Sequence, residues 1–194
     1  MTETTKAPAT RDFEGTAIPL AGTYTIDASH SRVGFVAKHL VVSKVRGQFD
    51  EFSGTLTFAE NPLESSADVT IQAASINTGD KGRDDHVRTG DFLLVEEHPT
   101  LSFKTTSLTP KGKGEFVAAG DLTIRGVTKP VELDLEFEGV VVDPWGNEKV
   151  VLSAETEIDR EAYGVSWNAA LETGGVLVNK KVKLEIEVQA TRNA

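Results

Sequence analysis

The sequence contains no cysteine among its 194 residues. Disulfide bonds, thiolate chemistry and cysteine-based zinc sites are therefore excluded, and the redox compartment is left undetermined. No apolar run approaches the roughly 18 residues that a membrane-spanning helix requires. Residues 1–14 also lack the apolar segment of a secretory leader. From these absences we expect a soluble, cytoplasmic protein with no stable membrane insertion.

Basic residues are scarce relative to acidic ones. Twenty Lys and Arg residues stand against 30 Asp and Glu residues, which gives a formal net charge of −10 and a pI of about 4.9. An acidic surface repels nucleic-acid phosphates and anionic lipid head groups. We therefore expect no nucleic-acid partner and no stable binding to a membrane surface. The hydrophobic fraction of 39% still supports a packed core.

Recognisable catalytic patterns are also missing. His30, His39, His86 and His98 form no H-E-x-x-H pair and show no converging spacing, so we expect no metal site. The sequence has no G-x-S-x-G elbow and no glycine-rich phosphate loop. Most carboxylates alternate outward on predicted strands, which gives no support to paired acid–base catalysis. We expect neither an enzyme nor a cofactor.

What the sequence does contain is an alternation of apolar and polar side chains with a period of two. Residues 131–138 and 181–188 show the pattern most clearly, and residues 32–39 and 68–73 show it too. Weaker strands are predicted at residues 23–26, 47–58, 100–107, 115–124 and 149–158. Such alternation is typical of antiparallel sheets that have one dry face.

Two regions depart from this alternation. Residues 1–20 are polar and contain two prolines, and we interpret them as a flexible N-terminal arm before a single domain of residues 21–194. The segment from Asp80 to Leu94 is charged, lacks β-branched runs and follows Asn77 and Thr78. It predicts a short helix, or two, packed against one end of the sheet.

About nine strands with one apolar face each must bury those faces together. A two-sheet sandwich and a closed barrel both achieve this, and periodicity alone does not decide between them. The sequential spacing and the long alternating strands favour the barrel, since closure also removes exposed edges. We therefore predict an all-β fold, a closed antiparallel β-barrel of about eight strands with a short helix.

The interior of such a barrel can be filled or hollow. Most phenylalanines fall on inferred inward positions: Phe35, Phe49, Phe52, Phe58, Phe103, Phe116 and Phe137. Small residues at inward positions either widen a cavity or fill the taper of a packed barrel: Ala37, Ala73, Ala118, Gly120 and Ala154. Trp145 at a predicted hairpin tip and Trp167 in an irregular stretch either pack on a neighbouring surface or border a mouth.

A series of motifs runs in order from about Gly22 to Val188. It comprises YTIDASHSRVGF at 24–35, GQF at 47–49, FSGT at 52–55, SINTG at 75–79, RDDHV at 83–87, DF at 91–92, HP at 98–99, GDLTIRGVT at 120–128, DPWG at 143–146 and REAYGVSW at 160–167. The series resembles the bacterial YceI-like family of lipocalin-like proteins. Tyr24 stands where that family often has Trp, and Leu93 and Leu94 stand where a second aromatic and an acid are common.

The resemblance implies a lipocalin-like barrel around a long apolar tunnel. It implies non-covalent binding, and transport or storage, of a polyisoprenoid such as a polyprenyl pyrophosphate or an isoprenoid quinone, with no cofactor besides the bound lipid. We expect the ligand to contact Val33, Phe35, His39, Leu56, Phe58, Val69, Ile71, Phe103, Phe116, Leu133, Leu135, Trp145, Trp167 and Leu184. Candidate donors to a polar head group are Lys44, Arg46 and Arg83.

Two other functions stay open at this point. An interaction or stress-response module would have a packed barrel and bind no ligand. A hydrolase or isomerase acting on a bound lipid would need His39 or His86 to face the interior beside a carboxylate. The oligomeric state is open as well, a homodimer included.

Overall fold

A computed structural model describes residues 7–194 of the chain. Its strands are β1 (Thr10–Phe13), β2 (Thr16–Pro19), β3 (Gly22–Ile26), β4 (Arg32–His39), β5 (Ser43–Phe49), β6 (Phe52–Phe58), β7 (Ser66–Gln72), β8 (Ile76–Asn77), β9 (Thr100–Gly112), β10 (Glu115–Ile124), β11 (Val127–Val142), β12 (Glu148–Asp159) and β13 (Val178–Arg192). The helix α1 spans Lys81–Arg88. Short 3-10 turns occupy Ala28–His30, Pro62–Glu64, Ala73–Ser75 and Arg160–Tyr163.

The strands β3 to β13 close into an antiparallel barrel. Two consecutive strands act as one long, kinked strand in three places: β3 and β4, β5 and β6, and β7 and β8. The first long strand is hydrogen-bonded to the second, through β3 with β6 and β4 with β5. The second is hydrogen-bonded to the third, through β6 with β7 and β5 with β8. The strand β13 closes the ring between β12 on one side and β3 and β4 on the other. The predicted eight-stranded closed barrel is therefore confirmed.

The kink between β3 and β4 keeps its backbone groups hydrogen-bonded through one serine. The Ser31 hydroxyl donates to the Asp27 carbonyl at 2.7 Å, and its oxygen accepts from the Gln189 amide at 2.9 Å. The Asp27 amide donates to the Gln189 carbonyl at 2.8 Å. Side-chain partners of this kind satisfy the groups that an interrupted ladder leaves unpaired.

The kink between β5 and β6 corrects the single strand that we expected at residues 47–58. The chain bends at Asp50 and Glu51, whose amides donate to the carbonyl and the hydroxyl of Ser75 at 3.1 and 3.0 Å. The strand β5 also begins earlier than expected, at Ser43. The inward alternation shifts by one position at this kink, since Phe49 and Phe52, three residues apart, both line the interior.

The helix α1 confirms the short helix expected between residues 80 and 94. Asp80 caps it by accepting a hydrogen bond from the Arg83 amide at 2.7 Å. We call its end of the barrel the helix end, where residues 40–42, 78–99, 125–126 and 160–177 connect the strands. The opposite end, with connections 59–65, 113–114 and 143–147, is the hairpin end. Within residues 7–194 no helix has both the length and the apolar character to cross a bilayer.

The expected N-terminal arm is wrong for residues 10–19, which form the antiparallel hairpin of β1 and β2. Its turn uses Glu14 and Gly15, both with positive φ. The hairpin packs on the barrel, because Arg11 donates to the carbonyls of Ala59 and Glu60 and the ring of Phe13 stacks on Phe116 at 6.3 Å. These contacts are with distant segments, so local composition did not indicate them. Residues 1–6 of the arm lie outside the described residues.

Candidate ligand-binding cavity

The inward faces of the strands enclose an apolar cavity of about 210 Å³, which we call the hairpin-end cavity. It contains most of the residues that we expected around a ligand: Val33, Phe35, Leu56, Phe58, Val69, Ile71, Phe103, Phe116, Leu133, Leu135 and Leu184. Strand alternation places them there, since every second side chain points to the same face. Ile18 and Pro19 of β2 complete the wall, a contribution that the sequence analysis missed.

A second cavity, of about 460 Å³, lies at the opposite end of the barrel, and we call it the helix-end cavity. Besides Phe35 and Leu184, three further expected residues line it: His39, Arg83 and Trp167. Its wall combines strand residues with residues of α1 and of the segments that follow α1 and β12, among them His86, Val87, Phe92, Leu93, Arg160, Tyr163 and Val165. The helix-end cavity is therefore closed by non-strand segments, whose contribution periodicity does not predict.

The two cavities adjoin at a waist in the middle of the barrel. The side chains that line both are Phe35, Phe49, Leu101, Ile124 and Leu184. The rings of Phe35 and Phe49 lie 6.0 Å apart, measured between centroids. A single elongated apolar molecule that occupied both cavities would have to pass between these side chains.

The small inward residues have different roles. Ala118 and Ala154 line the hairpin-end cavity and Ala37 lines the helix-end cavity. Gly120 makes no free space, because the ring of Phe103 covers it and would lie 2.5 Å from a Cβ atom at that position. Ala73 is fully packed in a 3-10 turn. Small side chains therefore widen the interior at three of these positions and accommodate neighbours at the other two.

Three residues that we expected at the ligand line neither cavity. Trp145 is 83% exposed at the tip of the β11–β12 hairpin, where Asp143 accepts hydrogen bonds from the Trp145 and Asn147 amides. Lys44 and Arg46 are exposed on the outward face of β5, while Val45 between them lines the helix-end cavity. Their positions follow from the same strand alternation that places the apolar residues inside.

Arg160 is a buried cation beside the helix-end cavity. Its guanidinium donates to the carbonyls of Val165, Trp167, Val178 and Asn179 at 2.7 to 3.2 Å. Burial lowers its pKa, and the nearby Glu161 and Asp159 act in the opposite direction. The residue therefore fixes the segment from 160 to 179, whose regular hydrogen bonding the sequence pattern did not indicate.

Tyr163 also lines the helix-end cavity and is 2% exposed. Within residues 7–194 its hydroxyl has no hydrogen-bond partner, and burial raises its pKa. A buried hydroxyl without a hydrogen-bond partner costs free energy, so its presence in a folded protein needs an explanation. The residue lies in the motif at 160–167, but nothing in the sequence showed that it would be unpartnered.

His86 stands at the border of the helix-end cavity. Its Nε2 lies 2.7 Å from Asp91 Oδ2, and its ring meets Trp167 and Phe92 edge-on at 4.8 and 5.2 Å. Trp167 therefore borders the cavity, which was one of the two positions that the sequence analysis left open for it. The histidine has the neighbouring carboxylate that a lipid-modifying enzyme would need. However, no Ser, Cys, Asp or Glu is among the described residues that line this cavity.

A second histidine cluster has the residue types of a catalytic triad but not its geometry. Ser29 Oγ and Asp27 Oδ2 both approach Nδ1 of His30, at 3.0 and 2.9 Å. A triad needs its serine and its carboxylate on opposite ring nitrogens. The Lys149 ammonium, 2.6 Å from Asp27, and the Ser29 hydroxyl hold the pKa of Asp27 far below its usual range. The cluster therefore stabilises the kink after β3.

In the described part of the chain no group of side chains is arranged to hold a metal ion.

A closed, eight-stranded antiparallel barrel with an apolar interior defines a lipocalin-like protein of the ligand-binding type. The YceI-like domain model matches residues 24–190, and the chain belongs to this family. The resemblance noted in the sequence is thereby confirmed.

Known relatives support the family and the fold. A UPF0312 protein of Staphylococcus aureus (strain bovine RF122 / ET3-1) is 40% identical over 168 residues, which cover 86% of this chain and 95% of that protein. The crystal structure of BcnA from Burkholderia cenocepacia has a TM-score of 0.74 and 25% identity, covering 86% of this chain and 99% of BcnA. A polyisoprenoid binding domain from Saccharophagus degradans, implicated in plant cell wall breakdown, shares the fold with a TM-score of 0.67 at 15% identity, covering 88% and 98% of the two chains.

Proposed function

We propose that this protein binds a long apolar chain, a polyisoprenoid, inside the barrel without a covalent bond, and carries or stores it. One observation carries the proposal: two apolar cavities adjoin at the waist formed by Phe35, Phe49, Leu101, Ile124 and Leu184. A long, thin and flexible molecule fits such a series of spaces better than a compact one does. The fold that the chain shares with the polyisoprenoid binding domain of Saccharophagus degradans supports the choice of ligand class.

Burial of the ligand is sufficient to explain affinity. Each buried methylene-sized group contributes about 0.8 kcal/mol, so several isoprenoid units in contact with the walls stabilise the complex without any ionic contact. Ligand pockets usually enclose roughly 300–1,000 Å³. The helix-end cavity, at about 460 Å³, lies within this range and the hairpin-end cavity, at about 210 Å³, lies below it. We therefore propose that a full-length ligand uses both cavities.

The geometry favours binding over catalysis. No Ser, Cys, Asp or Glu is among the described residues that line the helix-end cavity, and the Thr78 hydroxyl, which lines it, donates to Asp84 at 2.6 Å. The described wall therefore offers no serine, cysteine or free threonine hydroxyl for His86 to activate. We accordingly propose no reaction and no cofactor. The packed barrel of an interaction or stress-response module is less well supported, since the described interior contains two cavities.

The position of the ligand's head group is a separate part of the proposal, and the three expected donors differ in their positions. Arg83 is the expected donor that lines a cavity, and its Nε and Nη2 already donate to the hydroxyl and the carbonyl of Thr78 at 2.7 and 3.0 Å. Lys44 and Arg46 point away from both cavities. We therefore propose that the helix end, where Arg83 lies, holds the polar end of the ligand, with the apolar chain extending toward the hairpin end.

The test is extraction of the purified full-length protein with organic solvent, followed by mass spectrometry. We expect about one long-chain apolar molecule per barrel, and we expect the stripped protein to bind added polyprenols of increasing length more tightly until both cavities are filled. Repeatedly empty extracts, combined with no binding of polyprenols of any length, would contradict the proposal.

A further inference from the structure

An exposed cluster of large apolar side chains lies at the helix end. We define the apolar tip as Leu40, Val41 and Val42, between β4 and β5, together with Val176. Val41 and Val42 are 64% and 85% exposed, and Leu40 and Val176 are each more than two-fifths exposed. The two loops are adjacent, since the Leu40 amide donates to the Leu177 carbonyl at 3.0 Å. Single exposed apolar residues are ordinary, whereas a contiguous exposed group marks an interaction site.

The backbone of the tip adopts conformations that do not suit its residues. Leu40 and Val41 have φ values of 52° and 66°, in the left-handed region that bulky and β-branched residues rarely occupy. Glycine or asparagine would adopt this turn at lower cost. The strained turn holds Val41 and Val42 in solvent instead of burying them, so folding stability does not explain these residues.

Unpaired cations flank the tip. Lys38 and Lys44 lie directly opposite each other in the β4–β5 register, and Arg46 follows on the same exposed face. Like charges in directly opposite positions destabilise a sheet. Among residues 7–194 no carboxylate lies within 4.0 Å of any of these three cations, and Glu172 is the acidic residue of the adjacent segment 168–177. In a chain of net charge −10, this is a local basic surface.

The apolar tip also adjoins the helix-end cavity. His39 and Leu177, the immediate neighbours of Leu40 and Val176, line that cavity. A surface that contacted a lipid membrane here would therefore place the cavity next to the lipid. At physiological salt, charges act over only about 8 Å, so the local cations count more at contact than the distant acidic residues.

We propose that the apolar tip and its flanking cations Lys38, Lys44 and Arg46 dock the helix end reversibly on an anionic lipid bilayer, where ligand enters or leaves the barrel. The apolar side chains would insert at the level of the head groups, and the cations would contact lipid phosphates. The ligand route rests on the proposed function, whereas the docking surface is argued from its own residues. The proposal differs from the expectation drawn from net charge alone, because the charge is unevenly distributed.

The experiment is flotation of the full chain with vesicles of phosphatidylcholine, with and without about 30% phosphatidylglycerol. We expect binding to the anionic vesicles, and we expect Val42→Asp to weaken it about tenfold or more. Replacing Lys38 and Lys44 by Gln should weaken binding about fivefold for each lysine removed. The matched control is Val141→Asp, which introduces the same charge at a 48% exposed valine of the hairpin end. This control should bind as the unmodified chain does.

Each outcome can be distinguished from failure of the proposed function. If Val42→Asp, shown to be folded by its circular dichroism melt, still binds polyprenol in solution but takes it up slowly from anionic vesicles, both proposals are supported. Vesicle binding by a barrel that takes no polyprenol supports the docking surface alone. Equal vesicle binding by Val42→Asp and the unmodified chain overturns the docking proposal. The proposal is also overturned if Val42→Asp changes only the self-association of the protein, measured by sedimentation.

Discussion

The ring of Phe35 covers the backbone of Gly47, the residue opposite it on the neighbouring strand. A Cβ atom at position 47 would lie much closer to Cζ of that ring than van der Waals contact allows. Glycine at this position therefore sets where Phe35 stands at the waist between the two cavities. The presence of glycine at position 47 of the wall therefore affects the width of the interior.

Replacing Gly47 by alanine should displace the Phe35 ring. Because the backbone at position 47 has no positive φ, the effect is steric, and we expect overpacking to lower the free energy of unfolding by about 1–3 kcal/mol. Urea denaturation measures this change. Gly112→Ala is the control, since its nearest neighbour is the end of the flexible Glu115 side chain. Equal effects of the two changes would show that the Phe35 ring is not fixed by Gly47.

Ala118→Phe should reduce ligand binding by filling the hairpin-end cavity. Ala118 is buried and lines this cavity, whereas Ala119 is the next residue of β10 and points to the other face. We expect binding of a long polyprenol to weaken at least about tenfold in Ala118→Phe, because the lost contacts exceed two buried methylene groups. Titration of the stripped protein measures this, with Ala119→Phe as the control. Unchanged binding by Ala118→Phe would exclude the hairpin-end cavity from the site.

Tyr163→Phe should stabilise the ligand-free protein. The change removes a buried hydroxyl that has no described hydrogen-bond partner and leaves the ring in place, so we expect a gain of about 1 kcal/mol or more. Thermal and urea unfolding of stripped protein measure it. A loss of stability would show that the hydroxyl has a partner in solution. If the ligand's polar end uses the hydroxyl, the same variant binds that ligand less tightly and an apolar chain without a head group equally well.

The pair of Asp27 and Lys149 should make stability depend on acidity. The hydrogen bond from Lys149 lowers the pKa of Asp27 in the folded state, so the pair stabilises the fold fully above the unfolded-state pKa of about 4. The contribution is lost progressively as the pH falls below that value toward the folded-state pKa. Asp27→Asn should therefore lower the free energy of unfolding by about 2 kcal/mol near pH 7.

The difference between Asp27→Asn and the unmodified chain should narrow as the pH falls below about 4, because protonation then removes the same charge from the unmodified chain. Urea unfolding over a series of pH values measures the difference. Asp12→Asn is a suitable control: its carboxylate also accepts a hydrogen bond, from the Gly15 amide at 3.3 Å, but at an exposed turn and without an ion pair among residues 7–194. A difference that stays constant from neutral to acidic pH would contradict the role of the ion pair.

The strands and most of their inward side chains could be predicted because strand alternation is a local property. Side chains at positions two apart face the same side of a strand, so Leu133 and Leu135 could be placed inside. The same rule puts Lys44 and Arg46 on the face opposite to the inward Val45. The expected head-group role of Lys44 and Arg46 did not use this rule, and the structure places both outside. Trp145 was placed at a hairpin tip correctly, but not at a cavity.

The sequence by itself determined the antiparallel strands with one apolar face, the short helix after Asn77 and the inward phenylalanines, since each depends on neighbours within a few positions along the chain. Only the tertiary structure decided that the interior is hollow, that residues 10–19 pack as a hairpin and that Arg160 fixes the segment after β12. These features depend on where side chains from distant strands meet once the ring has closed. The volume left inside the ring is what remains after all of those side chains have packed, and no single segment of the sequence specifies it.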